Sequence, residues 1–282
     1  MRLQISHETV YRFDPPMRGV VQSHRMTPSQ FEGQQVIHWT IDVAGAERGA
    51  SFRDGAGDWI ETVSLLGPVS EVRVMVQGVV ETRDLSGVLR GHRETVPPDA
   101  YLRPTEATQP EVVVRALAEQ ALADAEDGAL ARAHALAGAV ADAIDYRPGE
   151  TAAGTTAAEA LTLGRGVCQD HTHALLAVAR VSDIPARYVT GYLESGADGG
   201  AHEASHAWAE LFVEGIGWIG FDAANRCCPD ERYVRLGSGH DAQGAAPIRG
   251  VADGLGVEAM TIDVSVTPET QSQSQSQSQT QQ

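Results

Sequence analysis

Gly164-Arg165-Gly166-Val167-Cys168-Gln169-Asp170-His171 is the stretch that decides how this chain reads. Two glycines punctuate it, and the residues that follow, Ala174-Leu175-Leu176-Ala177-Val178-Ala179-Arg180, form a strongly apolar helix, so Cys168 falls at the helix mouth. A thiol becomes an effective nucleophile as a thiolate, which partial positive charge favours, and a helix N-terminus supplies such charge. The unpaired N–H groups of the first turn also suit an oxyanion formed on an attacked carbonyl. Taken alone, Cys168 reads more simply as a small buried residue of an apolar helix.

Downstream of Asp183-Ile184-Pro185, three strand-like stretches follow: Ala186–Leu193, His206–Val213 and Trp218–Asp222. The last two flank Glu214-Gly215-Ile216-Gly217, which has the composition of a hairpin turn. A two-residue turn at Glu214-Gly215 sets His206 opposite Ala223, and one at Gly215-Ile216 sets it opposite Asn225. Either register brings the imidazole of His206 near the carboxylate of Asp222. That is what a general base requires, because a carboxylate on one ring nitrogen fixes the tautomer and leaves the other free for the thiol. A buried His–Asp pair is often structural, but a helix-capping cysteine ahead of it turns the balance toward a Cys168, His206, Asp222 triad.

Upstream, the chain divides by pattern. From Arg2 to about Val80, short β-type runs such as Glu8–Phe13, Gln35–Val43 and Val72–Val76 are broken by Gly, Pro and Asp, with Asp54-Gly55-Ala56-Gly57-Asp58 as a turn. They predict an antiparallel, sandwich-like β domain over 1–100. After a proline-bearing loop, two helices are expected between Pro110 and Ile144, interrupted at Gly128, and a short one over Ala157–Leu163. The fold class is thus α+β, with a helical and antiparallel core over 101–268 that includes a late strand at 257–266. The Gln/Ser-rich residues 269–282 have nothing to bury and are expected to form a disordered tail.

Composition excludes several functions. A length of 282 residues accommodates two domains, and 42% hydrophobic with 21% charged residues is ordinary globular usage. A formal charge of −17 repels a phosphate backbone, so no nucleic-acid partner is expected. No apolar run approaches the ~18–20 residues of a membrane span, and Met1–Glu8 lacks the apolar stretch of a secretory signal. No membrane partner and a cytoplasmic location are therefore expected. Three cysteines cannot build a disulfide framework, and Cys227 and Cys228 are adjacent, too close for an unstrained bridge.

Four blocks in order carry a resemblance: Gly164–Asp170, Ile184-Pro185-Ala186-Arg187-Tyr188-Val189-Thr190-Gly191-Tyr192, His206-Ala207-Trp208-Ala209-Glu210, and Trp218-Ile219-Gly220-Phe221-Asp222. With them the chain resembles bacterial transglutaminase-like proteins, and its first part resembles the β domain that precedes the core in many of them. The resemblance implies a papain-like core with Cys168 as nucleophile, His206 as base and Asp222 as orienting carboxylate. It implies a thioester route to transamidation or to amide hydrolysis, as in cysteine proteases, on a protein, peptide or small amide. Where relatives tend to show Asp-Pro-Thr-Asn this chain has Asp222-Ala223-Ala224-Asn225, and a Gly-Arg-Asp-Tyr-like stretch is replaced by Gly237-Ser238-Gly239-His240-Asp241.

Gln169, Trp208 and Tyr192 suit a second oxyanion donor on general chemistry, His171 could face the substrate but reads more simply as a solvated or hydrogen-bonded residue, and Asn225 keeps the polar end of the family's four-residue motif. Arg187 and Tyr188 read as strand residues supporting the core, and the histidine pair His171 and His173 beside Cys168 fits no common zinc spacing. Two rival functions remain. His202-Glu203-Ala204-Ser205-His206 matches the zinc-protease pattern, but that pattern works on a helix, and Gly199-Gly200 precede it while a strand-like run follows. A catalytically inactive binding module on the same fold has no need of all three triad residues. No EF-hand loop for calcium is present. Neither a metal nor a cofactor is expected.

Overall fold

The computed structural model describes residues 1–123, 125–194 and 204–269. Its first layer is an antiparallel sheet framed by two long strands, β1 (Arg2–His24) and, after β2 (Gln34–Val43) and β3 (Glu47–Arg53), β4 (Trp59–Thr82). β2 pairs with the second half of β4 and β3 with the first half. The register of β1 on β4 breaks between Arg12 and Gly19, and there the ladder bends. Beyond the bend Val20 and Leu65 share one apolar cluster with Ile41, Val72, Val74 and Val76, which gives the connected sheet its sandwich-like core. Sequence reading ends the first run at Phe13, because proline cannot donate to a ladder. The strand instead carries Pro15 and Pro16 through the break, where β4 demands no donor.

The helical part opens with α1 (Val112–Ala123) and α2 (Ala129–Ala143), separated at Gly128 as expected. The two-residue β5 (Asp145–Tyr146), α3 (Ala157–Leu163) and the two-residue β6 (Arg165–Gly166) follow, β5 pairing in parallel with β6. Next comes α4 (Cys168–Val181), buried on nearly every side, as its apolar sequence requires.

α4 packs on a four-stranded antiparallel sheet of order β10-β7-β8-β9, built from β7 (Ala186–Leu193), β8 (Ser205–Val213), β9 (Gly217–Phe221) and β10 (Tyr233–Gly239). Ala207, Ala209, Leu211 and Val213 of β8 face the cluster around α4, while the other face of the sheet meets the first layer. There Leu3, Ile5 and Val80 pack against Tyr192, Val234 and Leu236. β10 escapes the sequence pattern because Arg235, Ser238 and two glycines replace alternating apolar residues. Their burial is satisfied by ion pairs and hydrogen bonds to Asp58, Ser29 and Glu210.

The chain then returns to the first layer. β11 (Ile248–Asp253) and β12 (Val257–Pro268) both pair antiparallel with β1, on its second and first halves respectively. The late strand expected at 257–266 is present, but it completes the N-terminal sheet rather than the core. The Gln/Ser residues 270–282 lie outside the described residues. Among the described residues no helix is long and apolar enough to cross a membrane.

Candidate active site

Cys168 is the first residue of α4 and is half-buried. Its place is fixed by Asp170, whose Oδ2 accepts from the Val167 N–H at 2.8 Å and from Thr151 Oγ1 at 2.7 Å. This is helix capping from the third position, and it holds the loop before Cys168 against the first turn. Gly166 permits it, since a Cβ there would stand 2.6 Å from the Asp170 side chain. Being the first helical residue, Cys168 has an N–H with no intrahelical acceptor.

His206 stands near the start of β8, opposite Gly191 of β7. The β8–β9 hairpin closes with Val213 opposite Gly217, a three-residue turn whose register falls between the two that sequence allows. It delivers the expected pair: His206 Nε2 lies 2.6 Å from Asp222 Oδ2, with both side chains buried. The same imidazole is electrostatically coupled to the Cys168 thiol, which favours its charged form. With Nε2 taken by the carboxylate, Nδ1 is the nitrogen left for sulfur. Burial works against charging His206, but the hydrogen bonds and charges of Asp222 and Cys168 outweigh it and raise its pKa from 6.5 to about 10.

Asp222 follows β9 and is held by two backbone hydrogen bonds to Cys227, at 2.8 and 3.1 Å. Its Oδ2 also accepts from Asn225 Nδ2 at 2.7 Å and from the Tyr233 hydroxyl at 2.8 Å, and Oδ1 accepts from the Asn225 N–H at 3.1 Å. Burial pushes this carboxyl up, yet His206, Asn225 and Tyr233 together hold it below the usual carboxylate range. Trp208 stacks on the imidazole at 6.4 Å between centroids and meets Tyr233 edge-on at 5.5 Å. Gly191 leaves room for that indole, which a Cβ would approach to 2.6 Å.

The remaining candidates separate. Asn225 and Trp208 join the site as supports of Asp222 and of the ring. Gln169 is partly exposed next to the nucleophile, and its amide donates to the Ala153 carbonyl at 2.9 Å. His171 takes the hydrogen-bonded role rather than the substrate-facing one: it is buried, with Nδ1 at 3.0 Å from the Val167 oxygen and Nε2 at 2.9 Å from the Ile144 oxygen. Tyr192 is corrected. Its hydroxyl bonds His7 Nδ1 at 2.8 Å between the two layers, because the side chain points into the interface cluster. His173 is buried and accepts from the Ala242 N–H at 3.1 Å, and desolvation lowers its pKa to about 4. Burial raises the Cys227 and Cys228 thiols above their usual range.

His202 and Glu203 of the zinc-protease pattern lie outside the described residues. His206, however, belongs to a strand and gives its Nε2 to Asp222, which is not the helical ligand geometry the pattern needs. Two contributors were missed from sequence. Tyr233 sits in a region without a pattern, whereas the signal for Asp170 is its place two residues after the residue that opens the helix.

Comparison with known proteins finds two family models that match regions of this chain. Residues 115–223 match the transglutaminase-like superfamily, and residues 3–81 match the bacterial transglutaminase-like N-terminal region. An uncharacterised protein of Mycobacterium leprae is 29% identical over 285 residues, covering 94% of this chain and 98% of that protein. One of Mycobacterium tuberculosis H37Rv is 27% identical over 300 residues, covering 94% and 91%. The solved structure of a "putative cysteine protease" from Cytophaga hutchinsonii superposes with a TM-score of 0.72 at 23% identity, over 95% of this chain and 91% of that one, which shows a shared fold. The chain thus carries a region that matches the transglutaminase-like superfamily, preceded by one that matches the bacterial transglutaminase-like N-terminal region.

Proposed function

We propose that this protein transfers acyl groups from amides through a thioester on Cys168, with His206 and Asp222 completing a triad. The observation that carries the reading is one buried imidazole bonded to Asp222 at 2.6 Å and electrostatically coupled to the thiol that opens α4. His206 holds the proton that the thiol gives up, and the thiolate attacks the amide carbon. The oxyanion meets the free N–H of Cys168 at the positive end of the helix. His206 then protonates the departing nitrogen, the C–N bond breaks, and the acyl group stays on sulfur. Water gives hydrolysis and an amine gives transamidation, with His206 taking a proton from either. Asp222 keeps the ring oriented and offsets its charge, held in turn by Asn225 and Tyr233. The substrate class is an amide of a protein, a peptide or a small molecule.

The test is competitive labelling with iodoacetamide followed by peptide mapping, then trapping of the acyl-enzyme and weighing of the adduct. Cys168 is expected to react far faster than Cys227 or Cys228, and His206→Ala is expected to abolish the difference. Equal reactivity of the three thiols would favour an inactive binding module.

A further inference from the structure

The oxyanion of the proposed reaction has one assigned donor, the N–H of Cys168, whereas acyl-transfer sites commonly aim two at it. Each candidate that sequence offers for the second place is engaged elsewhere. The Gln169 amide donates to the Ala153 carbonyl, and the Tyr192 hydroxyl bonds His7. Trp208 clusters with Val189 and Tyr233 on the face of the sheet away from α4.

Tyr188 of β7 lies on the face toward α4. It belongs to the cluster against which Cys168 packs, whose other buried members are aliphatic apart from Phe221. Its cross-strand neighbours, Ala209 and Gly239, are small. The ring meets that of His173 at 5.3 Å between centroids, about 7.5 Å along the helix axis from Cys168. On β7 it stands about 10 Å from Gly191, the partner of His206. The hydroxyl makes no hydrogen bond to any described residue. Its polar neighbours do not take it. Asp170 Oδ1 and His173 Nδ1 are themselves without a partner among the described residues, while Asp170 Oδ2 accepts from Val167 and Thr151, and His173 Nε2 from Ala242. Tyr188 is only 5% exposed, and a hydroxyl with no partner is unfavourable in such a cluster. Burial holds its pKa well above the usual phenol range, so the proton stays on oxygen. Of the charges acting on the phenol Cys168 is the strongest, ahead of Asp170 and Asp241, which sets its hydroxyl toward the first turn of α4.

We propose that Tyr188 is a catalytic residue whose hydroxyl is the second donor to the oxyanion, acting together with the N–H of Cys168. The inference rests on the thioester reading. As Cys168 Sγ bonds to the carbonyl carbon, the electron pair of the C=O bond moves onto oxygen, and the Tyr188 O–H and the Cys168 N–H both donate to it. Tyr188 keeps its proton throughout. The pair then returns, the C=O bond re-forms, and the C–N bond breaks, the nitrogen leaving with the proton held by His206. The same two donors serve when water or an amine attacks the thioester. A donor that meets full charge only in the transition state lowers the barrier to acylation without making the thiol itself more reactive.

Two reagents separate the donor from the nucleophile. Acylation of Cys168 by p-nitrophenyl acetate passes through an oxyanion, whereas alkylation by iodoacetamide displaces iodide and forms none. In the full-length protein, Tyr188→Phe is expected to lower acylation about 10²–10³-fold, in the rate constant rather than in the half-saturating concentration. Alkylation of Cys168 and the urea midpoint are expected to stay at parent values, since the hydroxyl removed has no partner. Cys168→Ala supplies the background. Acylation of Tyr188→Phe at the parent rate overturns the donor assignment and leaves the thioester reading in place. If acylation and alkylation fall by the same factor and the urea midpoint drops, the hydroxyl supports the fold beneath α4 through Asp170 or His173, and the assignment is again overturned. If the parent is acylated no faster than Cys168→Ala, the thioester reading itself fails and the donor falls with it.

Discussion

Asp222→Asn is the substitution that loads the proposed mechanism most directly. Three donors converge on Oδ2, from His206 at 2.6 Å, Asn225 at 2.7 Å and Tyr233 at 2.8 Å, and a fourth, the Asn225 N–H, reaches Oδ1. An amide can offer an acceptor to only one of these sides, so either orientation of the new side chain sets its NH2 against a donor in a buried site. The imidazole also loses the charge that holds its proton. Its pKa of about 10, against 6.5 unperturbed, corresponds at about 1.36 kcal/mol per pH unit to an upper bound on the order of 5 kcal/mol, shared between Asp222 and Cys168.

Two outcomes follow. Acylation of Cys168 should fall about 10³–10⁴-fold, the scale seen when a triad carboxylate becomes an amide and the ring takes the wrong tautomer. Stability should also lose part of its pH dependence. A histidine whose pKa is raised on folding stabilises fully below the unfolded value near 6.5 and loses that contribution as pH rises through about 10. Denaturant unfolding of the parent between pH 6.5 and 10 should therefore show falling stability, with a shallower slope in Asp222→Asn. A variant that acylates within about tenfold of the parent and keeps the same slope would refute the coupling of Asp222 to His206.

Tyr233→Phe removes one hydrogen bond to a buried carboxylate and should cost about 1.5–3 kcal/mol if unreplaced. Acylation rates across pH should fall with the acid limb moved upward, because Asp222 loses a group that holds its pKa down. Asp170→Ala uncaps α4 and should lower stability by about 0.5–2 kcal/mol. Urea unfolding would report that loss, and alkylation of Cys168 should slow at the same time, whereas Asp170→Asn, which keeps an acceptor, should recover much of both.

The parts of the fold legible in the sequence are those where one pattern decides one element. The apolar period of α4, the break at Gly128 and the strand run Ala186–Leu193 all appear within a residue or two of their expected ends. The His206–Asp222 pair was legible because a hairpin register survives an error of one residue in its turn. What escaped depends on contacts between distant segments. β10 hides because its buried positions are polar, and their partners, Asp58 and Ser29, lie far away in the chain. The return of β12 to β1 leaves no local mark, since an alternating strand does not say which sheet it joins. Tyr192 and His171 are ambiguous for a related reason: a hydroxyl or imidazole beside a reactive motif carries the same sequence signal whether it faces the cleft or the interior.

The buried charges on the face of β8 away from α4 invite a last question, which is what they contribute to the site. Glu210 accepts from Arg187 Nε at 2.7 Å and from Arg235 Nε at 2.9 Å, Arg235 reaches Asp58 at 3.0 Å, and Arg187 also pairs with Glu94 and stacks over Trp218. Such networks seldom add much stability over well-packed apolar residues, because the cost of desolvation nearly cancels the attraction. Register is different. Sliding β8 by one residue would turn Glu210 into the aliphatic cluster around α4 and carry His206 off the face it shares with Trp208, so the network penalises the one error that would dismantle the proposed triad. Replacing Arg187, Glu210 and Arg235 together by Met, Leu and Met should therefore leave unfolding free energy within about 1–4 kcal/mol of the parent. The same variant should lower acylation of Cys168 more than any stability change explains, with broadened His206 resonances in NMR spectra. Retained acylation and a single sharp His206 signal would show that packing around α4 sets the register unaided.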